Sequence, residues 1–63
     1  MKYSVFCRDV NDYMNGWTYA HLTSVKVEQR YGDKYPRVYV TLEDGSEDVI
    51  DPTKWDCKIV AEN

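Results

Sequence analysis

The chain reads as an all-β domain, a small barrel or two-sheet sandwich of about five short antiparallel strands. Three observations predict this. Hydrophobic residues alternate with a period of two along most of the chain, and no segment sustains a helical period. Two glycine pairs, Asn15-Gly16 and Asp44-Gly45, stand between alternating segments where tight hairpin turns belong. The length, 63 residues, suits one domain with a small core, since a domain of this size buries only about 60% of its unfolded surface.

Residues 2–8 form the first strand, with Tyr3, Val5 and Cys7 on one face and Ser4, Phe6 and Arg8 on the other. "DVNDYMNG", residues 9–16, is turn-rich, leaves room for at most a short helical turn, and ends in a pair favoured in type I′ hairpins. Trp17 to Leu22 is extended. From Ser24 to Tyr31, Val25 and Val27 point inward while Lys26, Glu28 and Arg30 point outward. "YGDKYP" is a loop, and Tyr35 is held extended by the proline that follows it. Arg37 to Glu43 is the strongest strand, with Val38, Val40 and Leu42 on one face and Tyr39 and Thr41 on the other. A two-residue turn at Asp44-Gly45 would set Val40 opposite Val49 and Tyr39 opposite Ile50. Pro52 has no amide to give a sheet, so a 3₁₀ turn is expected at 51–55. Cys57, Ile59 and Ala61 alternate in the last strand.

The stretch "VYVTLEDGSEDVIDPTKWDCKIV", residues 38–60, resembles the C-terminal half of SH3-like barrels: a long strand, a tight glycine hairpin, a second strand, a 3₁₀ step and a short final strand. Peptide-binding SH3 domains carry a proline in that step and an aromatic three residues later, both lining the ligand groove. Pro52 and Trp55 stand at this spacing, and the resemblance implies that role for them. The first half lacks the Ala-Leu-Tyr-Asp-Tyr opening and the tryptophan pair of signalling SH3 domains. The resemblance therefore implies a fold and leaves function to the residues themselves.

Net charge is −3, unevenly spread: residues 1–42 carry six Lys/Arg against four Asp/Glu, and residues 43–62 carry two against seven. Duplex nucleic acid is an unfavourable partner for an acidic half, because phosphate contacts supply most of that affinity. A protein partner fits better. Aromatics make up 14% of the chain, with six Tyr and two Trp, a composition suited both to filling a small core and to contact surfaces. Trp17, Tyr19, Tyr31, Tyr35 and Trp55 serve either as core closures or as an aromatic surface that recognises a partner beside Arg37 and Pro52. Glu43, Asp44, Glu47, Asp48 and Asp51 form an acidic hairpin, either a solvated edge that resists aggregation or a patch for a basic surface. Its spacing is not that of an EF-hand.

Cys7, Cys57 and His21 lack the close ligand pairs of a zinc site, and no metal or other cofactor is expected. The two cysteines read as buried free thiols in a reducing cytoplasm, since no leader or membrane-length apolar run is visible. Lys2, Arg8, Lys26, Arg30, Lys34 and Arg37, interleaved with Tyr31, Tyr35 and Tyr39, could instead line a single-strand nucleic-acid surface. The leading expectation is a non-catalytic protein-interaction module, monomeric or weakly dimeric. Met1 to Asn63 reads as a whole frame, which suggests an accessory or inhibitory protein of the kind common in mobile genetic elements.

Overall fold

The structure is a computed structural model that describes residues 1–62. Six strands follow one another: β1 (Lys2–Asp9), β2 (Gly16–Leu22), β3 (Ser24–Glu28), β4 (Arg37–Thr41), β5 (Glu47–Ile50) and β6 (Trp55–Glu62). They form two three-stranded antiparallel sheets, ordered β2-β1-β6 and β3-β4-β5. The domain is all-β, as the alternation predicts. It has six strands rather than about five, and it is not a closed barrel. The chain bends at Thr23 and divides one extended run into β2 and β3, and no ladder joins the edge of one sheet to the edge of the other among the described residues. No helix among the described residues is long and apolar enough to cross a membrane.

The sheets enclose Val5, Cys7, Leu22, Val38, Val40 and Ile50, with Tyr3, Tyr19, Val25, Leu42, Trp55 and Cys57 packed around them. Alternation explains this set, because the inward positions of β1 and β4 are the ones that disappear from solvent. Val27 is a correction. It lies opposite buried Val38, yet it is 63% exposed. It sits toward the end of an edge strand, beyond the cover that hides Val38.

Two further corrections concern turns. Asn15-Gly16 does not make a two-residue hairpin. Residues 10–15 form a longer loop, closed by Asp9 N–H to Asn15 O (2.8 Å) and by a turn in which Asn15 N–H donates to Asp12 O (3.0 Å). Asp9 and Asp12 carboxylates accept the amides of Asn11 (2.8 Å) and Met14 (3.2 Å), so these aspartates are spent on shaping the loop. Gly16 opens β2 instead, because a Cβ there would stand 2.4 Å from the carbonyl oxygen of Cys7.

At the β4–β5 hairpin the loop holds three residues, with Leu42 and Ser46 still bonded across it (2.8 Å) and Gly45 at φ +88°. The register is shifted by one residue from the two-residue expectation: Val38 faces Ile50 and Tyr39 faces Val49. Side-chain direction alternates, so only this register lets Ile50 share the core face with Val38 and Val40.

The expected 3₁₀ turn at 51–55 is a single capped turn. The Asp51 carbonyl accepts from both Lys54 N–H (3.2 Å) and Trp55 N–H (3.0 Å). The Asp51 carboxylate takes Thr53 N–H (2.9 Å) and its hydroxyl (2.7 Å), and Pro52 occupies the position whose amide would have no partner.

The two glycines predict different penalties. Gly45→Val meets no atom within 4 Å but keeps an unfavourable positive φ, so denaturant titration is expected to give a loss of about 1 kcal/mol. Gly16→Ala collides with backbone and is expected to lose more, roughly 2 kcal/mol. A loss at Gly16 no larger than at Gly45 would mean that the backbone beside Cys7 shifts to relieve the crowding.

Candidate functional site

The turn at 51–54 is where three connections meet. From the β1–β2 loop, Val10 N–H donates to Lys54 O at 3.0 Å. From the β3–β4 loop, the Tyr35 hydroxyl donates to Asp51 Oδ2 at 2.9 Å. On one side of the turn Trp17 and Trp55 pack edge to face, with ring centres 4.1 Å apart, and Tyr19 continues the cluster 6.1 Å from Trp17. The ladders explain this grouping: Trp17 and Trp55 lie opposite Cys7 and Asp9 of β1, on its core-facing side. The Lys54 ammonium stands 5.6 Å from the Trp55 ring. Trp17 remains 36% exposed, so the tryptophans close the core and also reach the surface.

On the other side of the turn, the Arg37 guanidinium lies 5.2 Å from the Tyr35 ring. Its Nε is buried without a hydrogen-bond partner, 3.7 Å from Asp33 Oδ1. Asp33 accepts the Tyr39 hydroxyl and the Arg30 amide, and these bonds hold its carboxyl below the usual range while pushing the Tyr39 phenol up. Arg30 covers the Tyr39 ring at 3.7 Å and forks onto both oxygens of Glu47 (2.6 and 2.8 Å). Hydrogen bonds thus link Glu47, Arg30, Asp33 and Tyr39 on the outer face of the second sheet, and Arg37 continues the row to Tyr35 and Asp51 through an ion contact and a cation–π contact.

Of the residues expected to recognise a partner, Trp17, Trp55 and Pro52 come together with Tyr35 and Arg37 around this turn. Tyr31 lies in the adjoining loop, fully exposed. The acidic residues are not a free patch opposite a basic face. Glu43 pairs with Lys2, Asp44 caps Ser46, Glu47 binds Arg30, Asp48 accepts the Tyr19 hydroxyl and Asp51 anchors Tyr35. Of the residues expected to line a single-strand nucleic-acid surface, Arg30, Tyr35 and Tyr39 are held by carboxylates.

Sequence reasoning passed over Tyr13 and Met14, which are 76% and 92% exposed at the tip of the β1–β2 loop. An apolar pair inside an otherwise polar turn was the available signal. The Arg8 guanidinium covers the Tyr13 ring at 4.4 Å and separates two shallow clefts. One, about 350 Å³, is bounded by Phe6, Asp56 and Lys58; the other, about 300 Å³, by Met14, Trp17 and Thr18.

His21 and the cysteines lie away from this end or beneath it. His21 donates its backbone amide to Glu62 Oε2 at 2.9 Å, with its ring Nδ1 3.1 Å from Oε1. Cys7 and Cys57 face each other across the β1–β6 ladder with sulfurs 3.8 Å apart, both free. Burial pushes the Cys7 thiol up to about 12 and raises Cys57 as well. Among the described residues, no three His, Cys, Asp or Glu side chains gather as a metal site. The chain matches no family model, no curated protein and no solved structure.

Two predictions follow from these ionisations. Asp33, Glu47 and Asp51 are all held below their ordinary values of 3.8 and 4.5 by hydrogen bonds, from Tyr39, Arg30 and Thr53 respectively. Their stabilisation is complete above the unfolded values and is lost as pH falls through the lower folded ones. Thermal midpoints are therefore expected to be flat from neutrality to about pH 5 and to drop on further acidification. Asp33→Asn is expected to shallow that acid limb, and an unaltered limb would remove Asp33 from the account. The raised thiols are expected to resist iodoacetamide at neutral pH in the native protein and to react fully in denaturant, as read by mass spectrometry.

Proposed function

We propose that this chain is a non-catalytic protein-interaction module of SH3-like construction, an accessory or inhibitory protein that acts by covering a surface of a larger partner. The strand order supports the fold part of this reading: the last strand lies beside the first, and one bent run serves both sheets. A capped Asp51-Pro52 turn with Trp55 three residues after the proline also supports it.

The observation that carries the function is the convergence of two loops on the turn at 51–54. Hydrogen bonds hold the bases of these loops, while Tyr13, Met14 and Tyr31 project from them, more than three-quarters exposed. Exposed aromatics on a rigid, pre-ordered loop end lose little entropy on binding, and Tyr is enriched at binding hot spots. The neighbouring clefts are open and shallow, which suits a protein surface better than an enclosed small molecule.

The test compares partner capture by the wild-type domain with capture by Tyr31→Ala and Tyr13→Ala, each checked by thermal melt. Both side chains are exposed, so the fold is expected to survive. Loss of roughly 2 kcal/mol of binding in at least one variant supports the reading. Val49→Thr, on the outer face of the second sheet, is expected to leave capture unchanged. Retention of the partner by both tyrosine variants would move the interface elsewhere. Recovery of nucleic acid, bound with steep salt dependence, would replace the proposal with the single-strand reading.

A further inference from the structure

The second half of β6 is built like the interior of a sheet but stands at its edge. β6 pairs with β1 on one side and with no strand among the described residues on the other. Three consecutive apolar residues, Ile59, Val60 and Ala61, are exposed there, Ile59 at 46% and Val60 at 37%. Ile59 lies opposite Val5 and so faces the core side; Val60 lies opposite Ser4 and faces outward. Ile59 nevertheless stands outside the core cluster, because the second sheet does not reach over it. A lone edge strand usually carries charge at such positions, and a strand apolar on both faces is normally covered on both.

We propose that β6 is a self-association edge, pairing antiparallel with β6 of a second copy about a two-fold axis through Val60. The two first sheets then merge into one of six strands, ordered β2-β1-β6-β6-β1-β2. The choice of partner rests on charge and shape. A two-fold pairing keeps like faces together only when centred on a residue, and Lys58, Ile59 and Val60 are the centres here that bring five or more described residues into the ladder. Centring on Lys58 opposes two ammonium groups. Centring on Ile59 sets Asp56 against Glu62. Centring on Val60 sets Lys58 against Glu62 of the second copy, twice, with Val60 against its equivalent outside and Ile59 against Ala61 inside. Lys58 has no ion-pair partner within its own chain among the described residues. Glu62 lies toward β1, where Oε2 accepts the Ser4 hydroxyl and the His21 amide and Oε1 meets the His21 ring, which leaves one lone pair on Oε1 for the ammonium of the second copy.

A ladder of five residues buries little area, so the dimer is of the weak, concentration-dependent class. Sedimentation velocity over a concentration series from about 10 µM toward about 1 mM reads such an association. The wild-type protein is expected to shift from monomer to dimer across it. Val60→Lys sets two like charges face to face, and Lys58→Glu opposes two carboxylates; each is expected to raise Kd tenfold or more, about 1.4 kcal/mol. Both sites are exposed, and thermal melts report whether each variant folds, so one survivor suffices. Val49→Lys, on the other sheet, is the control expected to dimerise normally. In a mixture of isotope-labelled and unlabelled protein, filtered NOEs are expected between Ile59 of one copy and Ala61 of the other. A wild-type protein that stays monomeric throughout, a dimer indifferent to both β6 variants, or intermolecular NOEs confined to other residues would each overturn the proposal.

Discussion

The Glu62 carboxylate reaches across β1 and holds the backbone of β2 at the point where that strand must leave its sheet. It accepts the Ser4 hydroxyl and the His21 amide, and His21 there adopts φ 58°. Ala20 and His21 together oppose the single residue Ser4, a β-bulge in the β1–β2 ladder. A non-glycine residue in this left-handed region costs roughly 1 kcal/mol or more, and a charge-assisted hydrogen bond is strong enough to offset it. The extra residue reverses which side chains face inward. Tyr19 and Leu22 consequently both point to the core although they are three apart, and Leu22 is fully buried. Thr23 then bonds to Thr41 and the chain enters the second sheet. Without that bend, one run of residues could not serve two sheets, and the two loops would not meet at the turn after β5.

Much of the fold was legible because period-two alternation is a local signal. β1 and β4 carry it plainly, and their inward residues form most of the core. The Asp51-Pro52 turn was legible for the same reason, since a missing amide and a capping carboxylate act within a few residues. The two glycine pairs were less informative than they looked. Asp44-Gly45 does turn the chain, but whether its loop holds two or three residues is decided by the need to bury Ile50, which lies outside the turn. Gly16 is required for the space it leaves beside Cys7, a contact between strands that no dipeptide rule describes. The bulge at His21 has no local signature at all, because its stabilising partner lies forty-one residues away.

The same division holds for the candidate site. Aromatic residues could be singled out one by one, and Trp17, Tyr35, Pro52 and Trp55 do gather around one turn. Their neighbours could not be read from composition. The uneven charge along the sequence suggested two faces, yet the fold interleaves them: Lys2 meets Glu43 and Arg30 meets Glu47 over long sequence separations. Charges that look like a patch on paper are here divided among separate hydrogen-bonded tasks. For a chain with six fully or nearly buried apolar residues, such polar fastening matters more than in a larger domain.

The pairing of β1 with β6 gives the molecule a mechanical character. Lys2 lies opposite Glu62, and the ladder then runs without a break to Asp9 opposite Trp55. Tension applied at residues 2 and 62 pulls across the hydrogen bonds at one end of this ladder instead of along it. The bonds must then open in succession, like a zipper, and resist far less than they would if sheared together. The same closeness allows a short tether between these two positions, so the strands could be joined and the chain opened at the exposed β1–β2 loop, or the domain set as a bead within the loop of a host protein, without stretching either structure.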